Sequence, residues 1–151
     1  SGTIGLEALR LRPKLKLISI DKRLGSQMLV EENAKKLGVS PKKIIESDVK
    51  NFLTNNLQSI FSNENRVLIG GCDLDTKIQI IDDLSKFLKI GDIMVLPIIT
   101  YEALKDVSNC LKQLNFETSM NLIQTFKGLS IAEGTRFEPN NPVFIIKAKK
   151  K

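Results

Sequence analysis

The sequence contains no histidine. That excludes Ser-His-Asp and Cys-His nucleophilic catalysis, and any histidine-ligated metal. Cysteine occurs twice, as Cys72 and Cys110. Two are too few for a disulfide framework or a structural zinc site. Tryptophan is absent and aromatics make up 5% of the chain, so base-stacking platforms for nucleic acid are scarce. No apolar run approaches the roughly 18 residues that span a bilayer, and no membrane segment is expected. There is no internal repeat, low-complexity tract or Gly/Ser linker. One domain over residues 1–151 and a cytoplasmic location are the expectations.

What is present is an ordinary globular balance, 42% hydrophobic and 26% charged. The net charge of +6 is uneven. Residues 1–50 hold 11 Lys/Arg against 6 Asp/Glu, whereas residues 51–140 hold 8 against 11. Lys147, Lys149, Lys150 and Lys151 read as a solvated tail. The basic first third could attract a polyanion or simply be the solvated rim of helices.

Hydrophobic periodicity alternates between two periods. Helical patterns fall at 3–12, 22–37, 49–61, 75–88 and around Leu104, Val107, Leu111 and Leu114. Short apolar runs between them read as strands at 15–20, around Ile44-Ile45, at 66–69, and at 93–96 closed by Pro97. Two last strands, 117–126 and 142–148, are joined by a loop containing Gly128, Gly134, Pro139 and Pro142. Strand–helix alternation with continuous apolar strands predicts an α/β fold: a doubly wound, mostly parallel, Rossmann-like sheet closing in a C-terminal antiparallel hairpin, with one antiparallel edge strand. In such a fold a strand precedes the glycine loop. Here the chain opens at Ser1-Gly2-Thr3, inside that loop. The expectation is an N-terminal truncation, or a strand supplied by another polypeptide.

Ligands of open α/β sheets bind beyond the carboxyl ends of the strands. Four features gather there: Ser1-Gly2-Thr3 before a helix, Asp21 after one strand, Asp48 after the next, and Gly70-Gly71 after a third. A carboxylate at Asp21 suits a ribose diol, Asp48 suits an adenine amino group, and Gly70-Gly71 lets a ligand lie against bare backbone. Each also has a plain structural reading, as an N-cap, a turn former or a tight turn. Taken together in this order they predict a nucleotide-type ligand.

The closing hairpin resembles that of class I S-adenosylmethionine-dependent methyltransferases. The segments SGTIGLEALRL, ISIDK, EENAKKLGVSPKKIIESD, RVLIGG, KIGDIMVLPIITYEAL, LKQLNFE and NPVFIIKAKK, in this order, resemble the decarboxylating precorrin methyltransferases of cobalamin biosynthesis. That resemblance covers essentially the whole chain. It implies methylation at carbon 15 of a polycarboxylate macrocycle with loss of an acetate carboxyl, and S-adenosylmethionine as methyl donor. It implies Ser1, Gly2, Thr3, Asp21, Lys22, Asp48, Val49 and Gly70 on the donor side. Gly71, Cys72, Lys127 and Arg136 fall on the substrate side, the last two in a loop between the final strands. It also implies a homo-oligomer and a fused or associated carbon-5 methyltransferase domain. No catalytic residue is assigned, and no metal, nucleic acid or membrane is expected. The sequence departs from the family after Gly71, where Cys72-Asp73-Leu74-Asp75 sets two carboxylates beside a polyanionic substrate.

Other readings are an RNA or other small-molecule methyltransferase, favoured by the pI near 9.4, a dehydrogenase, and a non-catalytic fragment or partner subunit. RNA amino-methylating enzymes carry an Asn/Asp-Pro-Pro-Tyr/Phe motif where this chain has Gly70-Gly71-Cys72-Asp73.

Overall fold

A computed structural model describes residues 2–61 and 63–151, with the side chains of 55–59 also outside the description. The described residues form two compact units, the first running to residue 60 and the second from 61 to 151. Among the described residues no helix is long and apolar enough to cross a membrane.

The first unit contains α1 (Thr3–Leu11), β1 (Ile18–Asp21), α2 (Ser26–Leu37), β2 (Lys43–Glu46) and α3 (Val49–Ile60). β1 and β2 pair in parallel, with Ile18 opposite Lys43 and Asp21 opposite Glu46. The apolar face of α2 puts Val30 and Ala34 against Leu6 of α1, with Leu17, Leu37, Val39 and Ile44 packed around them. α2 stops at Gly38, whose φ of 65° suits a residue without Cβ. The amides of Gly38 and Val39 then close back on the Lys35 and Ala34 carbonyls.

The second unit contains β3 (Arg66–Leu68), α4 (Leu74–Ser85), β4 (Ile93–Ile98), α5 (Tyr101–Gln113), β5 (Phe116–Ile123), β6 (Phe126–Ile131), β7 (Gly134–Pro139) and β8 (Val143–Lys150). Its main sheet has the order β3-β4-β8-β5. β3 and β4 are parallel, and β8 runs antiparallel to both β4 and β5. The antiparallel strand therefore lies inside the sheet, and β5 forms the edge. Met94, Leu96 and Ile98 of β4 are buried with Ile80, Ile81 and Leu84 of α4, Val107 and Leu111 of α5, and Ile146 and Ala148 of β8.

Three expectations change here, the first being the antiparallel strand, expected at the edge and found inside the sheet between β4 and β5. Second, the loop expected between the last two strands is itself a hairpin, β6 paired with β7. Almost every residue in it is exposed, so neither strand shows the alternation that a half-buried strand would write into the sequence. Third, Pro97 does not close β4; it lies within it, opposite Ile145 of β8. It does close the parallel ladder. The amide of Ile69 donates to the Val95 carbonyl at 3.1 Å. In parallel register the next rung would run from the amide of residue 97 to the carbonyl of Ile69, and proline has no N–H. β3 consequently leaves the sheet at Gly70.

A buried carboxylate joins the entry of β3 to the turn before β4. Asp92 Oδ1 accepts from the Asn65 amide at 2.8 Å. Its Oδ2 accepts from Asn65 Nδ2 at 2.8 Å and from the Lys89 amide at 2.9 Å.

Candidate functional site

In the first unit the strand-end acids converge. Parallel pairing sets Asp21 beside Glu46 at the carboxyl ends of β1 and β2. Arg23 Nε donates to Asp21 Oδ1 at 3.0 Å, and the Arg23 amide donates to the same oxygen at 3.1 Å. The Arg23 side chain, with the ion pair it forms, pulls the Asp21 carboxyl down to about 2 against some opposition from burial. Asp21 is therefore an ionised acceptor at the end of β1, of the kind a ribose diol requires, with Arg23 as its present donor. Arg23 is exposed on a flexible stem, so a diol can displace it.

Glu46 is a residue that the sequence reading missed. Its Oε2 accepts from the Gln27 amide at 3.3 Å and from Ser26 Oγ at 3.5 Å. It serves as the missing cap of α2, whose N-cap residue Gly25 has no side chain to offer. Only the register of two strands distant in sequence reveals this.

Asp48 takes its plain reading, with room for another. Its Oδ1 accepts from the Lys50 amide at 2.9 Å and the Asn51 amide at 3.4 Å, capping α3, of which Val49 is the first residue. Both bonds fall on one oxygen, so Oδ2 is available to an exocyclic amine. Lys22 is exposed at the end of β1. Ser1 lies outside the described residues. Thr3 begins α1 and is exposed.

Gly2 has a φ of 63°, and a Cβ there would meet Val30 methyls at 2.9 and 3.0 Å. The close approach of α1 to α2 is enough to require glycine here. Gly2→Ala should cost about 2 kcal/mol through left-handed strain and overpacking. An unchanged melting temperature would contradict this.

In the second unit Gly70 and Gly71 lie where β3 leaves the sheet, and a Cβ at either would meet nothing within 4 Å. This is open space beside bare backbone, as a ligand face requires. Cys72 Sγ lies 3.9 Å from the Gly70 carbonyl. Asp73, unexpected beside a polyanion, is the N-cap of α4, its Oδ1 accepting from the Thr76 amide at 2.8 Å. Asp75 follows in the first turn, where the helix dipole favours an acid. The departure from the family pattern thus writes a helix start. Lys127 and Arg136 are on β6 and β7, opposite Glu138 and Leu129, so they share one hairpin face. Arg136 reaches Glu138 at 4.0 Å. Among the described residues no cluster of acids and cysteines could hold a metal ion.

The sequence matches the family described as precorrin methyltransferase domain over residues 1–150. The chain belongs to the precorrin methyltransferase family. It is 24% identical over 151 residues to a probable cobalt-precorrin-6B C(15)-methyltransferase (decarboxylating) of Methanosarcina mazei, covering 99% of this chain and 78% of that one. The precorrin-6y C5,15-methyltransferase of Geobacter metallireducens superposes with a TM-score of 0.81 at 23% identity, over 99% of this chain and 76% of the other. The precorrin 8W decarboxylase of Methanobacterium thermoautotrophicum gives a TM-score of 0.79 at 21% identity, over 97% and 75%. These likenesses agree with the Rossmann-like class I methyltransferase fold expected from the sequence. This precorrin methyltransferase domain carries a strand-end acid, a second strand-end acid with one oxygen spare, and an open Gly-Gly. Within the first unit, the two acids offer the acceptors that a nucleoside's hydroxyls and amine require.

Proposed function

We propose that this methyltransferase domain transfers a methyl group from S-adenosylmethionine to carbon 15 of a precorrin and assists loss of an acetate carboxyl as carbon dioxide, in corrin ring biosynthesis in the cytoplasm. The match to the precorrin methyltransferase domain over residues 1–150 carries this reading. A relative named for the carbon-15 decarboxylating reaction adds the position.

When bound, S-adenosylmethionine supplies a methyl group made electrophilic by its sulfonium. In this reading Asp21 accepts from the ribose hydroxyls and Asp48 Oδ2 accepts from the adenine amino group. Lys22 and Val49 flank these two acids. Gly70 and Gly71 offer backbone to the ligand, and Cys72 borders the substrate side. Lys127 and Arg136 meet substrate carboxylates. The macrocycle is itself the carbon nucleophile and the electron sink for decarboxylation, so the protein's work is orientation and charge. A chain without histidine can do that work.

Calorimetric titration of S-adenosylhomocysteine tests the donor assignment, with saturable one-site binding expected. Incubation with a precorrin substrate and S-adenosylmethionine carrying a 13C methyl tests the rest, with the label expected on carbon 15 and carbon dioxide released. Absence of donor binding, or the label at another carbon, would overturn the reading. A carbon-5 methyltransferase, fused or separate, is the proposed companion, supported by a solved relative named for both positions.

We also propose a homo-oligomer. Phe126 and Phe137 share the hairpin face opposite Lys127 and Arg136, and are 60% and 70% exposed. Apolar surface of this kind on a sheet marks an interaction surface. Phe137→Asp should shift the sedimentation coefficient to that of a smaller species. A wild-type monomer, or an unshifted variant, would remove this proposal.

A further inference from the structure

Lys77 was not singled out by its sequence context, yet it lies on the core face of α4 beside Ile80, Ile81 and Leu84 and is 5% exposed. Lysine is almost never buried to that extent without a partner. Its Nζ donates to the Gly70 carbonyl at 2.8 Å. Burial pulls its basicity below that of ordinary lysine, opposed by the neighbouring Cys72 thiol. An apolar side chain would fill the same space at lower cost, so the contact with Gly70 is what distinguishes this residue.

That contact has a geometric consequence. In a trans peptide the C=O and the following N–H point in opposite directions. Lys77 draws the Gly70 carbonyl toward α4, and so turns the Gly71 N–H away from it. Among the described residues nothing accepts a hydrogen bond from Gly71. The space around it is open. A carbonyl that accepts a strong hydrogen bond also polarises its own peptide, which makes the N–H a better donor.

We propose that Lys77 is a positioning residue that fixes the Gly70–Gly71 peptide with the Gly71 N–H outward, as a donor to a carboxylate of the bound molecule. The choice of a carboxylate rests on the precorrin reading above. It is favoured by the positive end of α4 just downstream, whose Asp73 is engaged in capping. The carboxylate can come from a side chain of the macrocycle or from the amino-acid end of the methyl donor.

The test uses the full chain and three probes: an octacarboxylate porphyrin, the same ring with its carboxylates capped as amides, and S-adenosylhomocysteine. Lys77→Met should weaken the octacarboxylate about tenfold, the worth of one hydrogen bond to a charged group, and leave the amide-capped ring unchanged. A tenfold loss for S-adenosylhomocysteine instead would assign the carboxylate to the donor. Equal losses for both rings, or no loss for any probe, would overturn the proposal. Gly71→Pro deletes the N–H without touching Lys77 and should reproduce the same selective loss; circular dichroism checks both folds, and a folded Gly71→Pro without that loss overturns the proposal. If the wild-type chain binds none of the three probes, the precorrin reading fails separately. The Gly71 amide resonance then decides for Lys77: it should shift on titration with acetate in wild type and not in Lys77→Met, and a wild-type resonance that stays put overturns the proposal.

Discussion

Asp92→Ala should lower the unfolding free energy by about 3 kcal/mol, the range for breaking a buried, charge-assisted hydrogen-bond network. The carboxylate is 2% exposed and takes three N–H donors, two from Asn65 and one from Lys89. Alanine leaves all three facing a void. Burial alone would push the Asp92 carboxyl up, but the bonds from Asn65 and Lys89 outweigh it and hold it below the usual range. A depressed carboxylate contributes stability that is fully present above its unfolded value, near 3.9, and lost as pH falls through the folded value. The variant should therefore lose part of the wild-type stability gap on acidification from neutral pH. Asp92→Asn should recover little, because its amide would point N–H at N–H on one side. Urea unfolding followed by circular dichroism measures all of this. A cost below 1 kcal/mol for Asp92→Ala would mean that water or side-chain movement replaces the carboxylate.

Asp21→Ala should weaken S-adenosylhomocysteine about a hundredfold, the equivalent of about 3 kcal/mol for two charge-assisted hydrogen bonds to a diol. Arg23→Ala should act in the other direction. It removes the side-chain donors that compete for Asp21, so affinity should rise a few-fold. Wild type and Arg23→Ala also separate by pH. With its carboxyl held at about 2, Asp21 stays ionised throughout the weakly acidic range, and wild-type affinity should be flat from pH 7 to about 4. Without the Arg23 side chain the carboxyl returns toward its ordinary value, and affinity should already fall between about pH 5 and 4. An Asp21→Ala variant that binds like wild type would move the ribose site elsewhere. An Arg23→Ala variant that binds more weakly would make Arg23 a ligand contact.

The main elements were legible because they are written in local periodicity. α2 shows Val30, Ala34 and Leu37 on one face and a glycine stop, and α5 buries Val107 and Leu111 as its spacing demands. The strand-end acids were legible because a carboxylate closing an apolar run stands out. What escaped depends on contacts between distant segments. Glu46 acquires its role only when β2 lies beside β1 and the start of α2. Lys77 looks like a solvent-facing lysine until β3 is cut short above it. Asp73 and Asp75 looked like misplaced charge until the helix began at Leu74. The β6–β7 hairpin buries too little of itself to leave a periodic signal.

The proline in β4 shows how a binding face can be kept by withholding a bond. A parallel pair tends to extend while both strands can donate. Had residue 97 an N–H, the rung after it would join the Gly71 amide to the carbonyl of residue 97, and the glycine pair would be absorbed into the sheet. Pro97 stops that advance one step earlier, so the Gly71 amide remains unspent. Replacing the proline with alanine would add a hydrogen bond and strengthen the sheet while consuming the donor that the proposal assigns to a ligand carboxylate. On that proposal, the more stable protein at this position is the poorer binder.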